Sequence, residues 1–191
     1  MPEGTAPPDD VPAAVFEHAL RTFLEPRRVD MRALAAELGI GRSSLYRRTR
    51  GRDHLLGAVL WYLARRALVR ALEDAAGEAG AARVVAVIAR FLREVHRGPA
   101  LQRFLQEEPE ASLRILTSKR GGVQRPMIDA VERLLIAEEA VAGERMRLDR
   151  PTLAYVIVRI AESFLYADVI ADNEPDVDRA VEVIARLLGG Q

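Results

Sequence analysis

Residues 31–48 read MRALAAELGIGRSSLYRR, and this stretch decides the fold. Met31, Leu34, Ala35 and Leu38 recur at helical spacing on one face, with Asp30 at the N-cap of a short helix. Gly39 supplies the left-handed backbone that stops it. A second helix begins after Gly41, and Ala35, Ile40 and Leu45 can pack the pair at a steep crossing angle as a helix-turn-helix. The outer face of that second helix is polar. Guanidinium groups at Arg42, Arg47 and Arg48 and hydroxyls at Ser43 and Ser44 supply donors for base edges and phosphates in a major groove. A solvated helix face is the plain alternative, but the turn and Tyr46 stand in register with these residues and favour DNA. Arg27, Arg28 and Arg50 fit either reading.

Overall charge gives no support for a nucleic-acid binder, since 28 basic and 28 acidic residues cancel. The distribution does. From Arg27 to Arg52 there are eight arginines against Asp30 and Glu37, a local +6 that leaves −6 for the rest. A basic head on an acidic body is the pattern of a DNA-binding element attached to a regulatory domain.

With 191 residues the chain can bury about 70% of its unfolded surface, so it needs no staples. It contains no cysteine, which removes disulfides, thiolate metal sites and cysteine nucleophiles. Residues 1–10, with three prolines and three acids, read as a disordered tail rather than a signal peptide. Charged residues interrupt every apolar stretch before about 18 residues, so the expected protein is soluble and cytoplasmic, with no membrane partner.

Outward from the helix-turn-helix, helical periodicity recurs almost everywhere and no strand pattern stands out. The fold class is all-α, with about nine to ten helices. One helix precedes the motif, from about Val11 to Leu24, with Asp10 as N-cap. A long helix follows it from Arg52 to about Ala76. Further helices are expected at about 82–96, 99–106, 110–118 and 124–142, then from Pro151 to about Ala171, and from Glu174-Pro175 to Leu188. The domains expected from this are a helix-turn-helix domain over 11–52 and a helical effector-binding and dimerisation domain over 53–191.

The motif residues resemble the TetR family of regulators. The matching stretches are Leu34-Ala35, Gly39-Ile40-Gly41, Leu45-Tyr46 and the helix start Arg52-Asp53-His54-Leu55-Leu56. The resemblance implies that Tyr46 contacts backbone phosphate and that Arg52 clamps another. It also implies that Arg42, Ser43, Ser44 and Arg47 face the groove. Two positions depart from the family pattern. Gly41 replaces the usual serine N-cap, at a cost of a few tenths of a kcal/mol. Thr49 replaces an aromatic, which puts the angle between the recognition helix and the next one in doubt. The DNA-binding set is therefore Gly41, Arg42, Ser43, Ser44, Tyr46, Arg47, Arg48 and Arg52.

More weakly, Arg159-Ile-Ala-Glu-Ser-Phe-Leu-Tyr-Ala-Asp and Asp176-Val-Asp-Arg-Ala look like the family's last two helices, which form a four-helix bundle with a second subunit. Leu153, Val156, Ile157, Ile160, Phe164, Val177, Val181, Ile184 and Leu188 provide the apolar stripe for a homodimer. The segment from Phe104 to Ala111 with Leu113-Arg-Ile-Leu-Thr resembles the QsdR-like subgroup, which implies a lactone-like or other small amphipathic effector. Trp61, Tyr62, Phe91, Phe104, Met127 and Phe164 are candidates to line its cavity, against the plainer role of core packing.

His18, His54 and His96 are scattered without a second ligand at usable spacing, so no metal or other cofactor is expected. Glu107, Glu108 and Glu110 beside Pro109 read as a solvated helix start rather than acid–base catalysts. Glu162 stands in an apolar stretch and is expected partly buried near the dimer seam. The function expected is a non-enzymatic, ligand-responsive repressor on a palindromic DNA operator. A helical small-molecule-binding or catalytic bundle, and a DNA-binding structural protein without effector control, are the competing classes.

Overall fold

The protein is described by a computed structural model over residues 11–119, 121–143 and 148–189. The expected tail, 1–10, and the expected cap Asp10 lie outside the described residues. Every regular element there is helical: α1 (Ala13–Leu24), α2 (Met31–Glu37), α3 (Arg42–Thr49), α4 (Arg52–Asp74), α5 (Gly80–His96), α6 (Pro99–Glu107), α7 (Pro109–Thr117), α8 (Gln124–Ala142), α9 (Arg150–Leu165), α10 (Ala167–Ala171) and α11 (Val177–Leu187). No helix among the described residues is long and apolar enough to cross a membrane.

The helix boundaries follow their caps. Asp30 caps α2, Asp149 caps α9 and Asp176 caps α11, each accepting backbone N–H bonds from the first turn. α5 starts earlier than its sequence suggests. Ala79 offers no side-chain cap, but the Glu138 carboxylate on α8 accepts from Gly80 N at 3.0 Å and from Arg83 Nη1 at 3.0 Å. The helix expected over Pro151–Ala171 is two. It breaks at Tyr166 (φ −111°, ψ 24°), and the five-residue α10 follows. That break brings the helix count to eleven among the described residues.

The chain divides into two compact units, one running up to Arg66 and including Pro99–Val123, the other made of Ala67–Gly98 and the chain from Gln124 onward. The expected boundary at 52/53 falls inside the first of these. In the first unit α2 packs on α3 and α6 on α7, around a core that includes Phe16, Leu45, Leu55, Leu56, Leu105 and Ile115. Its tightest point is backbone on backbone. A Cβ on Gly57 of α4 would stand 1.8 Å from the Gly121 carbonyl oxygen, and one on Gly121 would stand 1.7 Å from that of Ile115. In the second unit α8 packs on α9 and α5, and α11 on α5 and α9, burying Leu92, Leu135, Leu153, Ile157 and Ile184.

Candidate nucleic-acid interface

The α2–α3 pair is built by local chemistry. The Asp30 carboxylate accepts from Arg32 N at 2.9 Å and Ala33 N at 2.8 Å. Chiefly the Ala33 bond, with help from Arg32 N and the charges of Arg28 and Arg52, holds its carboxyl below the usual range. Gly39 is left-handed (φ 64°), and Ile40 N donates to Ala35 O at 3.0 Å across the turn. Gly41 caps α3 with its backbone alone, its carbonyl accepting from Leu45 N at 3.0 Å.

Leu45 and Thr49 are fully buried and fix which way α3 faces. Where the family pattern has an aromatic, Thr49 returns its hydroxyl to Leu45 O at 2.9 Å, so the shorter side chain enters the core without an unpaired donor. The opposite face is open. Gly41, Arg42, Ser43, Tyr46, Arg47 and Arg48 are exposed, Ser44 is half-buried, and Tyr46 keeps 50% of its surface accessible. Among the described residues the side chains of Arg42, Arg47 and Arg48 have no ion-pair partner, whereas Arg27 is bound to Glu37 at 3.0 Å, with His18 on the other oxygen at 2.5 Å.

Arg52, the eighth member of the expected set, is engaged within the protein. Its Nε donates to Val29 O at 2.7 Å, Nη1 to Glu108 Oε2 at 2.9 Å and Nη2 to Glu108 Oε1 at 2.7 Å. Arg28 Nη2 adds a third bond to Glu108 Oε2 at 3.0 Å. Glu108, expected in solvent, has only 13% of its side chain exposed. Burial alone would raise its pKa, but the bonds and charges of Arg52 and Arg28 outweigh that and hold the carboxyl below the ordinary range. Arg103 fastens the same α1–α2 turn, giving Nη2 to Phe23 O and Glu25 O at 2.6 Å each. Glu108 and Arg103 have no signal in the local sequence, because their partners lie 56 to 80 residues away.

The candidate effector residues divide between the units. In the first, Tyr62 meets Phe16 edge-on with centroids 5.3 Å apart, and buried Phe104 meets Phe23 at 5.7 Å, so both do packing work; Trp61 is half-buried. In the second, Phe91, Met127 and Phe164 are half-buried. A polar groove of about 470 Å³ in this unit is lined by Ala71, Asp74, Arg90, Arg93, Glu94, Arg97 and Gly98, none of them expected from the sequence.

The expected dimer stripe needs correction. Leu153, Ile157, Val177, Ile184 and Leu188 are buried inside their own unit, because α9 and α11 pack on each other and on α8 and α5. Val156, Ile160, Phe164 and Val181 remain half-exposed, and Tyr155, which periodicity alone did not single out, is 52% exposed beside them. Glu162 on α9 is buried, with Arg159 Nη1 at 2.5 Å and Gln124 Nε2 at 3.3–3.4 Å. Here burial outweighs its partners and its pKa is raised. No group of three or more potential ligands that could hold a metal occurs among the described residues.

The geometry can be set against known proteins. No curated protein sequence matches the chain. Residues 79–189 match the family described as tetracyclin repressor-like, C-terminal domain. Among solved structures, the TetR-family transcriptional repressor QsdR of R. erythropolis is similar with a TM-score of 0.85 and 27% identity, over 93% of each chain. The TetR-family repressor AlkX from Dietzia sp. strain DQ12-45-1b, implicated in biodegradation of n-alkanes, is similar with a TM-score of 0.57 and 25% identity, over 92% of this chain and 93% of that one. Regulators of this kind are in general not enzymes. A family match over more than half of its length, on an all-helical frame, means that the chain belongs to the TetR family of ligand-responsive, DNA-binding transcription repressors.

Proposed function

We propose that the protein represses transcription as a homodimer whose two α3 helices enter successive major grooves of a palindromic operator, with half-sites about one helical turn or slightly more apart. One observation carries this reading: the outward face of α3 presents Arg42, Ser43, Tyr46, Arg47 and Arg48 while Leu45 and Thr49 anchor its back. The arginines supply phosphate and base contacts, and Tyr46 a phosphate contact. The half-exposed Val156, Ile160, Phe164 and Val181 with exposed Tyr155 form the face offered to a second copy. A small amphipathic effector of the lactone-like class, taken up in the second unit against Phe91, Met127 and Phe164, releases the DNA. The resemblance of the Phe104–Ala111 and Leu113–Thr117 segments to the QsdR-like subgroup suggests that class, and the coupling required is about 1–3 kcal/mol of differential affinity.

The test is an operator selected from genomic fragments and titrated across salt. Arg47→Ala/Arg48→Ala should weaken binding about 10- to 100-fold and make the slope of log affinity against log salt shallower by about 2. Unchanged affinity and slope would remove α3 from the interface. A lactone series that neither shifts the melting temperature nor releases the operator would remove the effector class and leave the DNA reading intact.

A further inference from the structure

Glu108 occupies the N-cap position of α7 but makes no side-chain cap bond there. Its carboxylate instead spends both oxygens on arginines of the DNA-binding region, Oε1 on Arg52 and Oε2 on Arg52 and Arg28 together. Arg52 is little exposed (19%), while Arg28 is 67% exposed and, among the described residues, has Glu108 as its one ion-pair partner. The cleft beside them, lined by Phe23, Val29, Leu56 and Phe104 together with these charges, has room for about 10 Å³, the space of roughly one water. No layer of solvent separates the carboxylate from the guanidinium groups.

A carboxylate and a phosphate present the same two-oxygen edge to a guanidinium fork, so the fork that Arg52 closes on Glu108, and the one Nη2 that Arg28 spends there, are not available to phosphate. We propose that Glu108 is an internal competitor for DNA phosphate, holding Arg28 and Arg52 away from the nucleic-acid backbone. The two arginines then form a latent phosphate site at the α1–α2 turn and the start of α4, and the joint between α6 and α7 decides whether it is open. The inference rests on the DNA-binding reading above. It assigns Glu108 a role in setting affinity that a purely structural ion pair does not have.

The probe is a mixed-sequence DNA duplex titrated with the full chain across a salt series, because sequence-independent binding reports phosphate contacts directly. Glu108→Gln should steepen the slope by between about 1 and 2. Lowering salt from about 200 to about 50 mM should then gain the variant about tenfold more affinity than the wild type gains. Glu107→Gln, which removes the same charge from an exposed neighbour, should change the slope much less. An unchanged slope in Glu108→Gln, or equal changes in the two variants, would overturn the proposal.

Arg28→Gln keeps the test open if Glu108→Gln fails to fold, since Arg28 is mostly solvent-exposed. It should leave the wild-type slope unaltered, and a slope shallower by about 0.9 would mean that Arg28 already sits on phosphate. Arg47→Ala/Arg48→Ala separates this proposal from the reading beneath it. If that variant binds the duplex as wild type does, the placement of the DNA face fails. If it weakens binding while the other slopes stay flat, only the role of Glu108 fails.

Discussion

Glu108 in the first unit is largely withdrawn from solvent and Glu162 in the second is buried, and the two carboxylates are treated oppositely. In the first unit Glu108 meets two guanidinium groups and keeps its charge against the cost of burial. In the second, Glu162 has an amide at 3.3–3.4 Å and one arginine that is 43% exposed, and burial prevails. Tyr166, buried nearby, is pushed up in turn by desolvation and by the Glu162 charge. A carboxylate with two close cations is a fixed strut, whereas one with a wet partner is a group that can take up a proton. The unit with the candidate DNA face is thus fastened by committed charges. The unit with the candidate dimer face contains one poised to change.

The largest effect expected tests how tightly the first unit is fastened. Gly57→Ala places a methyl 1.8 Å from a backbone oxygen that has no flexible end to move aside, so a loss of about 3 kcal/mol or more is expected in urea unfolding. Gly77→Ala meets nothing within 4 Å and should stay within about 0.5 kcal/mol. Equal effects would mean that α4 does not approach the Gly121 backbone this closely.

Next in size is the pair that sets the comparison itself. Glu108→Gln at pH 7 should cost about 2 kcal/mol, the scale of hydrogen bonds to a charged group left half-satisfied. Glu162→Gln should not destabilise and should raise the unfolding midpoint, because it removes a charge that burial disfavours. Destabilisation of similar size in both would erase the distinction.

The pH dependence has opposite signs at the two sites. For Glu108 the folded pKa lies below its ordinary value of 4.5, so its contribution is fully present above pH 4.5 and is lost as pH falls through the folded value. For Glu162 the folded pKa lies above 4.5, so its contribution is present below pH 4.5 and is lost as pH rises through the folded value. Wild-type stability minus that of Glu108→Gln should therefore rise with pH and level off above 4.5. The same difference for Glu162→Gln should fall above 4.5 before levelling.

These sites mark how far the sequence can be read. The α2–α3 motif was legible because every determinant is local: Asp30 caps, Gly39 turns, Ile40 N closes on Ala35 O, and the buried Ala35 and Leu45 lie within a dozen residues of one another. α8 was legible at both ends for the same reason. Glu108 was misread as solvated because its environment is set by residues 56 and 80 positions away, and the early start of α5 depends on Glu138, 58 positions away. Periodicity marked α9 and α11 as apolar without saying which stripe faces inward. It therefore put Leu153 and Val156 in one interface although the first is buried and the second is half-exposed. Tyr166 ends α9 with no proline or glycine to announce it.

The smallest effect expected separates the units by what a helix cap supports. Asp30 satisfies two N–H groups of the seven-residue α2, and Asp176 satisfies one of the eleven-residue α11. α11 is longer and packs on both α5 and α9, so packing can hold its first turn without the cap; α2 buries Met31, Leu34 and Ala35 but is only two turns long. Asp30→Ala should cost about 1 kcal/mol and Asp176→Ala about half that. The sharper readout is DNA. Because α3 is positioned by packing on α2, Asp30→Ala should weaken duplex binding at temperatures where the protein is still fully folded, whereas Asp176→Ala should lower the melting temperature and leave binding unchanged. Binding losses that merely track the loss of folded protein in both variants would mean that α3 is held by α4 and its own buried residues, and that the capped first turn of α2 contributes nothing to the DNA face.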